Sequence, residues 1–249
     1  MAAHRINISF TGVGRIIRFN WHFYVKALLL LLAGALLAML LPAAWRPWCW
    51  VLVALAAAQI LLSLIVSWWV YDVSALYRFT WLQRWQLQPM QMINIHAGYD
   101  DTSEKLAQLF PQASMQVFDF YDPQLHTEVS IRRARRWYPA YPGTIGISTS
   151  QLLVPAGSAD VVWLLLSAHE IRQPAERELF FCQLKQALAP GGCVVLAEHL
   201  RDLPNFIAFN LGCFHFHSRR SWQHCWQAAG FQLADECSVT PFVRCFKLQ

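Results

Sequence analysis

Residues 27–45 form a run of nineteen without a charged side chain, and residues 48–71 form a second of twenty-four. Each approaches or exceeds the roughly 20 apolar residues that a helix needs to cross the hydrocarbon core of a bilayer. Only Arg46 and Pro47 separate them. Across so short a break the chain returns through a bilayer only as a tight helical hairpin, with Pro42 and Pro47 limiting the two helices at the turn. In a soluble protein, two adjacent segments this long and this apolar would need a large surrounding structure to cover them. A cleaved signal peptide fits poorly, because a 26-residue basic lead precedes the first run and a second run follows it at once.

The hairpin accounts for a composition that is otherwise anomalous. Apolar residues make up 56% of the 249, against about 45–50% in soluble globular chains. The formal charge of +5 is also localised. Through Met90 there are seven basic residues (Arg5, Arg15, Arg18, Lys26, Arg46, Arg78, Arg84) against one acid, Asp72, a net of +6, while the remainder carries thirteen against fourteen. Four of the seven precede the first run, two follow the second, and Arg46 alone lies at the turn. The positive-inside rule then places both ends of the chain in the cytoplasm, and the expected location is the inner membrane of a bacterium. Trp45, Trp48, Trp50, Trp68, Trp69 and Tyr71 stand at the ends of the runs, where amphipathic rings favour the headgroup zone. Gln59, Ser63 and Ser67 recur every four residues and are expected to face the first helix rather than lipid. Seven cysteines without a Cys-x-x-Cys pair fit a reducing compartment.

Four segments follow: a basic N-terminal stretch over 1–26, the transmembrane hairpin over 27–71, a juxtamembrane stretch over 72–89, and a domain over 90–249. The third mixes Tyr77, Phe79, Trp81, Trp85 and Leu87 with Arg78 and Arg84, as either an interfacial helix or a linker helix packed on the domain would. Beyond Pro89 strands alternate with helices. Strands are expected at 91–95, 115–120, 144–147, 159–166, 193–197 and 243–248, and helices at 102–110, 129–137, 175–188 and 222–229. This order predicts an α/β fold with a mainly parallel, doubly wound sheet. Its ligand crevice lies at the carboxyl ends of the strands, near residues 94–98, Asp119 and Ser167-Ala168-His169-Glu170.

The stretch from Asp160 to Leu166, a helix, Leu188-Ala189-Pro190-Gly191-Gly192, and then Val194-Val195-Leu196-Ala197-Glu198 resembles the class I methyltransferases that use S-adenosylmethionine. Ala229-Gly230-Phe231 before the last strands fits the same family, and the resemblance covers about residues 90–248. It implies a Rossmann-like seven-stranded methyltransferase sheet, preceded here by the two-helix hairpin, and S-adenosyl-L-methionine as cofactor. In the family's glycine-rich loop the acidic position is Asn94, the three glycine positions are His96, Gly98 and Asp100, and one glycine therefore remains. By the same resemblance Asp119 is the carboxylate that accepts both ribose hydroxyls, with Phe120 beside it. Ser148 aligns near the adenine, Thr149 opens the loop that covers the ring, and Ser167 lies at the crevice. A nicotinamide oxidoreductase would want the full glycine fingerprint, which this chain lacks.

Methyl transfer is an in-line displacement that asks the protein to align the acceptor and, where needed, take its proton. His169, His199, His215 and His217 are the candidate catalytic residues, because histidine exchanges protons near neutral pH. His215 and His217 point the same way if they lie on a strand, and with His199 or His169 they offer three nitrogens. That set has no clear fourth partner, and no metal is assigned. Arg132, Arg133, Arg135 and Arg136 form a basic cluster expected to face anionic headgroups or solvent; nucleic acid is disfavoured because this domain is net negative. The expectation is a membrane-anchored methyltransferase acting on a small-molecule or lipid-soluble acceptor, with a non-catalytic membrane adaptor of the same fold as the alternative.

Overall fold

The computed structural model describes residues 9–126 and 128–249, so Arg5 in the basic lead lies outside the described residues. Contacts divide the chain into two compact units, one comprising residues up to Ser74 together with Ile207–Phe209, the other Ala75–Phe206 and Asn210–Gln249.

In the first unit, helix α1 (Thr11–Leu40) and helix α2 (Arg46–Trp68) are both long and apolar enough to cross a membrane, and only 6% of the most apolar window of each is buried. Helix α1 starts well before the uncharged run. It is interrupted at Asn20 (φ −112°, ψ 16°), whose side-chain amide donates to the Ile16 carbonyl at 3.1 Å. That local bond competes with the helical ladder. The turn is built as expected. Leu41 leaves the helix in an extended conformation and Pro47 sits in the first turn of α2, where its missing N–H costs nothing. Arg46 Nη2 donates to the Leu41 carbonyl at 3.3 Å, serving acceptors that the end of α1 leaves unpaired.

The two helices approach closely at Gly34, where a Cβ would stand 2.9 Å from Val53 Cγ2. Past α2 the chain makes one π-helical turn, Trp69–Val73. Asp72 in that turn accepts from the backbone N–H groups of Gly12 and Val13 at 2.7 and 2.8 Å. It thereby caps α1, whose own flanking residue Phe10 offers no side-chain acceptor. Gln59, expected on the face toward the first helix, makes its hydrogen bonds elsewhere. Its amide donates to the carbonyls of Ile207 and Ala208, which belong to the same unit.

The second unit is a seven-stranded mixed sheet in the order β3-β2-β1-β4-β5-β7-β6. Strands β1 (Gln91–His96), β2 (Ser114–Asp119), β3 (Ile145–Gly146), β4 (Ala159–Leu165) and β5 (Leu188–His199) pair in parallel. Strands β6 (Leu233–Thr240) and β7 (Val243–Leu248) form an antiparallel hairpin against β5. The helices between them are α3 (Ser103–Leu109), α4 (Val129–Trp137), α5 (Pro174–Ala187), α6 (Leu203–Phe209) and α7 (Arg219–Ala228). Phe180 and Phe181 of α5 and Trp222 and Trp226 of α7 pack with strand residues such as Val162, Leu196 and Phe246 into one core. The strand order reverses between β1 and β4, which puts the crevice at their carboxyl ends.

Three local expectations change. The stretch over 72–89 is not a continuous helix but two 3-10 turns, Leu76–Arg78 and Thr80–Trp85, with Phe79 and Gln86 in the left-handed region. Leu76, Phe79, Leu82 and Trp85 are buried, and Arg84 and Trp85 both bond Asp235, so the segment packs as a linker. Pro190-Gly191-Gly192 is not a separate turn after the helix but lies within β5, where the register with β4 shifts between Ala159 and Val161. His215 and His217, which would point the same way on a strand, do not lie on one: His215 closes a 3-10 turn, Asn210–His215, and His217 makes one isolated bridge to Leu200.

Candidate functional site

Strand β1 delivers Asn94 and His96 to the crevice, followed by the turn through Gly98 (φ 84°). Asn94 donates to the hydroxyls of Thr102 and Ser103 at 3.0 and 2.7 Å, tying the strand to the start of α3. Asp100 accepts from the backbone of Thr102 and Ser103 with one carboxylate oxygen. Its other oxygen, Asn94 Oδ1 and both ring nitrogens of His96 are buried without a hydrogen-bond partner. Such orphaned groups are uncommon in native interiors. His96 lies 3.7 Å from Asp119 and 4.0 Å from Asp100, yet burial outweighs both carboxylates and lowers its pKa, so the ring is neutral.

Asp119, at the end of β2, accepts from the backbone of Gly98 at 2.7 Å and of Tyr121 at 2.9 Å. Its second oxygen is held by Arg135, whose guanidinium also lies 4.6 Å from the Tyr121 ring centre. Arg135 therefore turns inward, unlike the headgroup-facing role expected of its cluster. Gly98 is needed because of its positive φ and because a Cβ would stand 2.8 Å from Ile131 and 3.0 Å from Tyr121. The close approach at this glycine is made by the chain's own side chains.

The other expected cofactor residues divide. Phe120 is a core residue, its ring 5.7 Å from Phe180. Ser148 is exposed and bonds Ser150. Thr149 is buried, with its hydroxyl on Glu176 and its carbonyl on Gln183, so it is fixed to α5. Ser167 bonds the Ile95 carbonyl at 2.9 Å and links the ends of β4 and β1.

Three of the four histidines gather around Phe216. His199 stacks on its ring at 4.9 Å, while His169 and His215 meet it edge-on at 5.9 and 6.0 Å. His217 turns away to Arg177 and the Ile171 carbonyl and belongs to the scaffold. His169 sits on the 3-10 turn Ala168–Glu170 that ends β4. Its Nδ1 is 2.7 Å from Glu198, a fully buried carboxylate of β5 that also accepts from the His169 backbone. Its Nε2 faces Glu170 at 3.4 Å, and Glu170 is 3.1 Å from His215 Nε2. Burial disfavours the charged ring, but Glu198 and Glu170 outweigh it and raise the His169 pKa to about 10. Burial likewise opposes a charged Glu170, yet its two histidine partners hold it well below the usual carboxylate range. His199 goes the other way. Burial, then the charge on His169, lower it to about 4, while Nδ1 bonds the Phe242 carbonyl at 2.9 Å. His199 is neutral and His169 is charged, a separation of the kind that assigns acid and base roles.

Sequence reasoning missed Glu198, Arg135, Arg172 and Phe216. The only signal for the first was its place at the carboxyl end of a buried strand.

No family model and no curated protein matches the chain. Solved structures do. A SAM-dependent methyltransferase from Aquifex aeolicus aligns with 71% of this chain and 93% of its own, at 12% identity and a TM-score of 0.52. The PH0226 protein from Pyrococcus horikoshii aligns with 70% and 87%, at 12% identity and a TM-score of 0.52. Human N-acetylserotonin methyltransferase, solved in complex with SAM, aligns with 77% of this chain and 55% of its own, at 14% identity and a TM-score of 0.51. The seven-stranded unit has the Rossmann-like fold of SAM-dependent methyltransferases.

Proposed function

We propose that this chain is an S-adenosylmethionine-dependent methyltransferase, held on a membrane by the α1–α2 hairpin and acting on a small or membrane-associated acceptor. The observation that carries it is the group of buried, unpartnered acceptors at the switch point, Asn94 Oδ1 and Asp100 Oδ2, beside the strand-end carboxylate Asp119. Acceptors buried without donors suit a ligand that brings its own cation and hydroxyls. S-adenosylmethionine brings an ammonium group, ribose hydroxyls and a methyl group activated on a sulfonium sulfur. Asp100 and Asn94 receive the ammonium, and Asp119 exchanges Arg135 for the ribose hydroxyls. Ser148 and Thr149 lie on the adenine side. On the acceptor side the charged His169, fixed by Glu198, donates to the acceptor oxygen and orients it. His199, kept neutral, takes the proton.

The hairpin is assigned to a bilayer because Leu28, Leu36, Leu52, Leu55, Ile65 and their neighbours are exposed along two helices, where a soluble core helix would bury them. Arg15, Arg18, Lys26, Arg78 and Arg84 against Arg46 support a cytoplasmic position for both ends. A tether confines the enzyme to the surface where a lipid-soluble acceptor concentrates.

A second reading, a non-catalytic membrane adaptor, is favoured by one observation: Arg135 already occupies Asp119, and Ile131 and Tyr121 close over Gly98. Calorimetric titration of the full-length protein in detergent with S-adenosylmethionine and its demethylated product separates the two. The enzyme binds both. Asp119→Ala removes charge-assisted bonds of about 2–3 kcal/mol, roughly 30- to 150-fold in affinity. Arg135→Ala frees a half-exposed ion pair of at most about 1 kcal/mol and tightens binding up to about fivefold. Folded protein that gives no heat with either ligand is the adaptor.

A further inference from the structure

Glu170 Oε1 lies between two imidazoles, 3.4 Å from His169 Nε2 and 3.1 Å from His215 Nε2, and the three atoms lie within 4.8 Å of one another. In a tetrahedral site with ligand distances of about 2.0–2.1 Å, neighbouring ligand atoms stand roughly 3.3 Å apart. The two separations at Glu170 match that edge, and the remaining pair, within 4.8 Å, would close on an ion. The outer partners fit as well. His169 Nδ1 meets Glu198 at 2.7 Å and His215 Nδ1 lies 3.4 Å from Glu128, so each ring turns one nitrogen to a carboxylate and the other to Glu170. A carboxylate behind each ligating histidine is the arrangement that fixes the tautomer and aims the second nitrogen at an ion.

We propose that His169, Glu170 and His215 form a binding site for a divalent transition-metal ion of the zinc class, with a fourth position for water or an acceptor oxygen. Two imidazoles and a carboxylate are the donor set of open, catalytic zinc sites. The set differs from the three-nitrogen combination considered from sequence, because His217 is engaged by Arg177 and a buried carboxylate takes its place. Arg172 is the competitor: its guanidinium contacts both ring nitrogens of His215 and stands 4.0 Å from Glu170. Its side chain is 36% exposed, so it has room to swing toward solvent when the ion enters. Binding the ion displaces the Nε2 proton of His169, so in the metal-bound protein the ion replaces the charged ring in orienting the acceptor; the site otherwise stands independently of the methyl-transfer reading. Only the assignment of an acceptor oxygen to the fourth position rests on it.

The test uses full-length protein in detergent, stripped with a chelator, titrated with Zn²⁺ and dialysed before metal analysis, with S-adenosylmethionine binding measured on the same samples. About one ion per chain is retained. His215→Ala, at a half-exposed turn position, abolishes retention while circular dichroism shows the fold intact. Glu198→Gln, which leaves the ligands in place, weakens Zn²⁺ by about 10- to 100-fold. Arg172→Ala binds as tightly as wild type or more tightly, a result that a purely structural ion-pair cluster does not give. Folded wild-type protein that retains no zinc, or retention unchanged in His215→Ala, overturns the site. Loss of S-adenosylmethionine binding with zinc retained refutes the methyltransferase reading alone, and the converse result refutes the metal alone.

Discussion

His199 is a buried histidine held neutral among polar partners, and that state has a cost in acid. Its ring is 2% exposed and its folded pKa is about 4 against an ordinary 6.5. The unfolded chain takes up the proton first as pH falls. Between pH 6.5 and about 4 the unfolded state therefore binds more protons, and stability declines through that window, levelling off below it. The total is about 3 kcal/mol. Thermal midpoints should fall below pH 6.5, more steeply in wild type than in His199→Gln, and should fall in both proteins as pH rises from about 7 toward 10, where only the folded state keeps the His169 proton. Equal slopes in the two proteins would exclude His199 as the source. At this scale the sequence was partly legible. Asp119, Gly98 and His169 stood out because each closes a strand or a turn at the expected crevice. Arg135 did not, because four arginines in one short helix look alike until the backbone shows which of them reaches Asp119. Glu198 was hidden in the same way, since its role depends on a histidine 29 positions away.

The elements were legible where burial wrote a continuous apolar run and obscure where it did not. Strands β4 and β5 are buried parallel strands with uninterrupted apolar stretches, β1 is buried with Asn94 alone breaking its apolar core, and β7 was found with the same bounds. Strand β6 is half exposed along its length and carried no such pattern. The Pro-Gly-Gly segment was found but assigned the wrong local structure, and its two glycines are required for different reasons. Gly191 has φ 83° with open space around it, whereas a Cβ on Gly192 would stand 2.9–3.0 Å from the carbonyl oxygens of Ala159, Ala189 and Asp160. Gly191→Ala meets only the left-handed penalty of about 1–2 kcal/mol. Gly192→Ala forces backbone of β4 and β5 apart, and overpacking of this kind costs about 1–3 kcal/mol at sites that are able to relax. Three backbone contacts relax less than a side chain does, so denaturant titration should find Gly192→Ala the more destabilised of the two. The opposite order would mean that β4 and β5 are not pinned at this bulge.

For the whole molecule, the lengths of α1 and α2 bear on where a bilayer would sit under the proposed anchoring. From the interruption at Asn20 to Leu40 is a helix of twenty residues, roughly 30 Å long, and α2 with 23 residues spans roughly 34 Å. Both match a hydrocarbon core of about 30 Å. Under the proposed anchoring the interruption would fall near the cytoplasmic boundary, with Arg15 and Arg18 beyond it and Lys26 close enough to extend its ammonium to the headgroups. At the opposite boundary Arg46 closes the turn on the last carbonyls of α1. The same anchoring would make the exposed leucines along both helices lipid-facing and so account for a protein that is 56% apolar yet leaves so many apolar side chains uncovered. Membranes carrying the full chain should retain it in the pellet through alkaline carbonate extraction. The sheet unit should be degraded by protease added to inverted vesicles and protected in intact spheroplasts. Release by carbonate would make the hairpin a peripheral or soluble element, and protection in inverted vesicles would reverse the orientation proposed from the arginines.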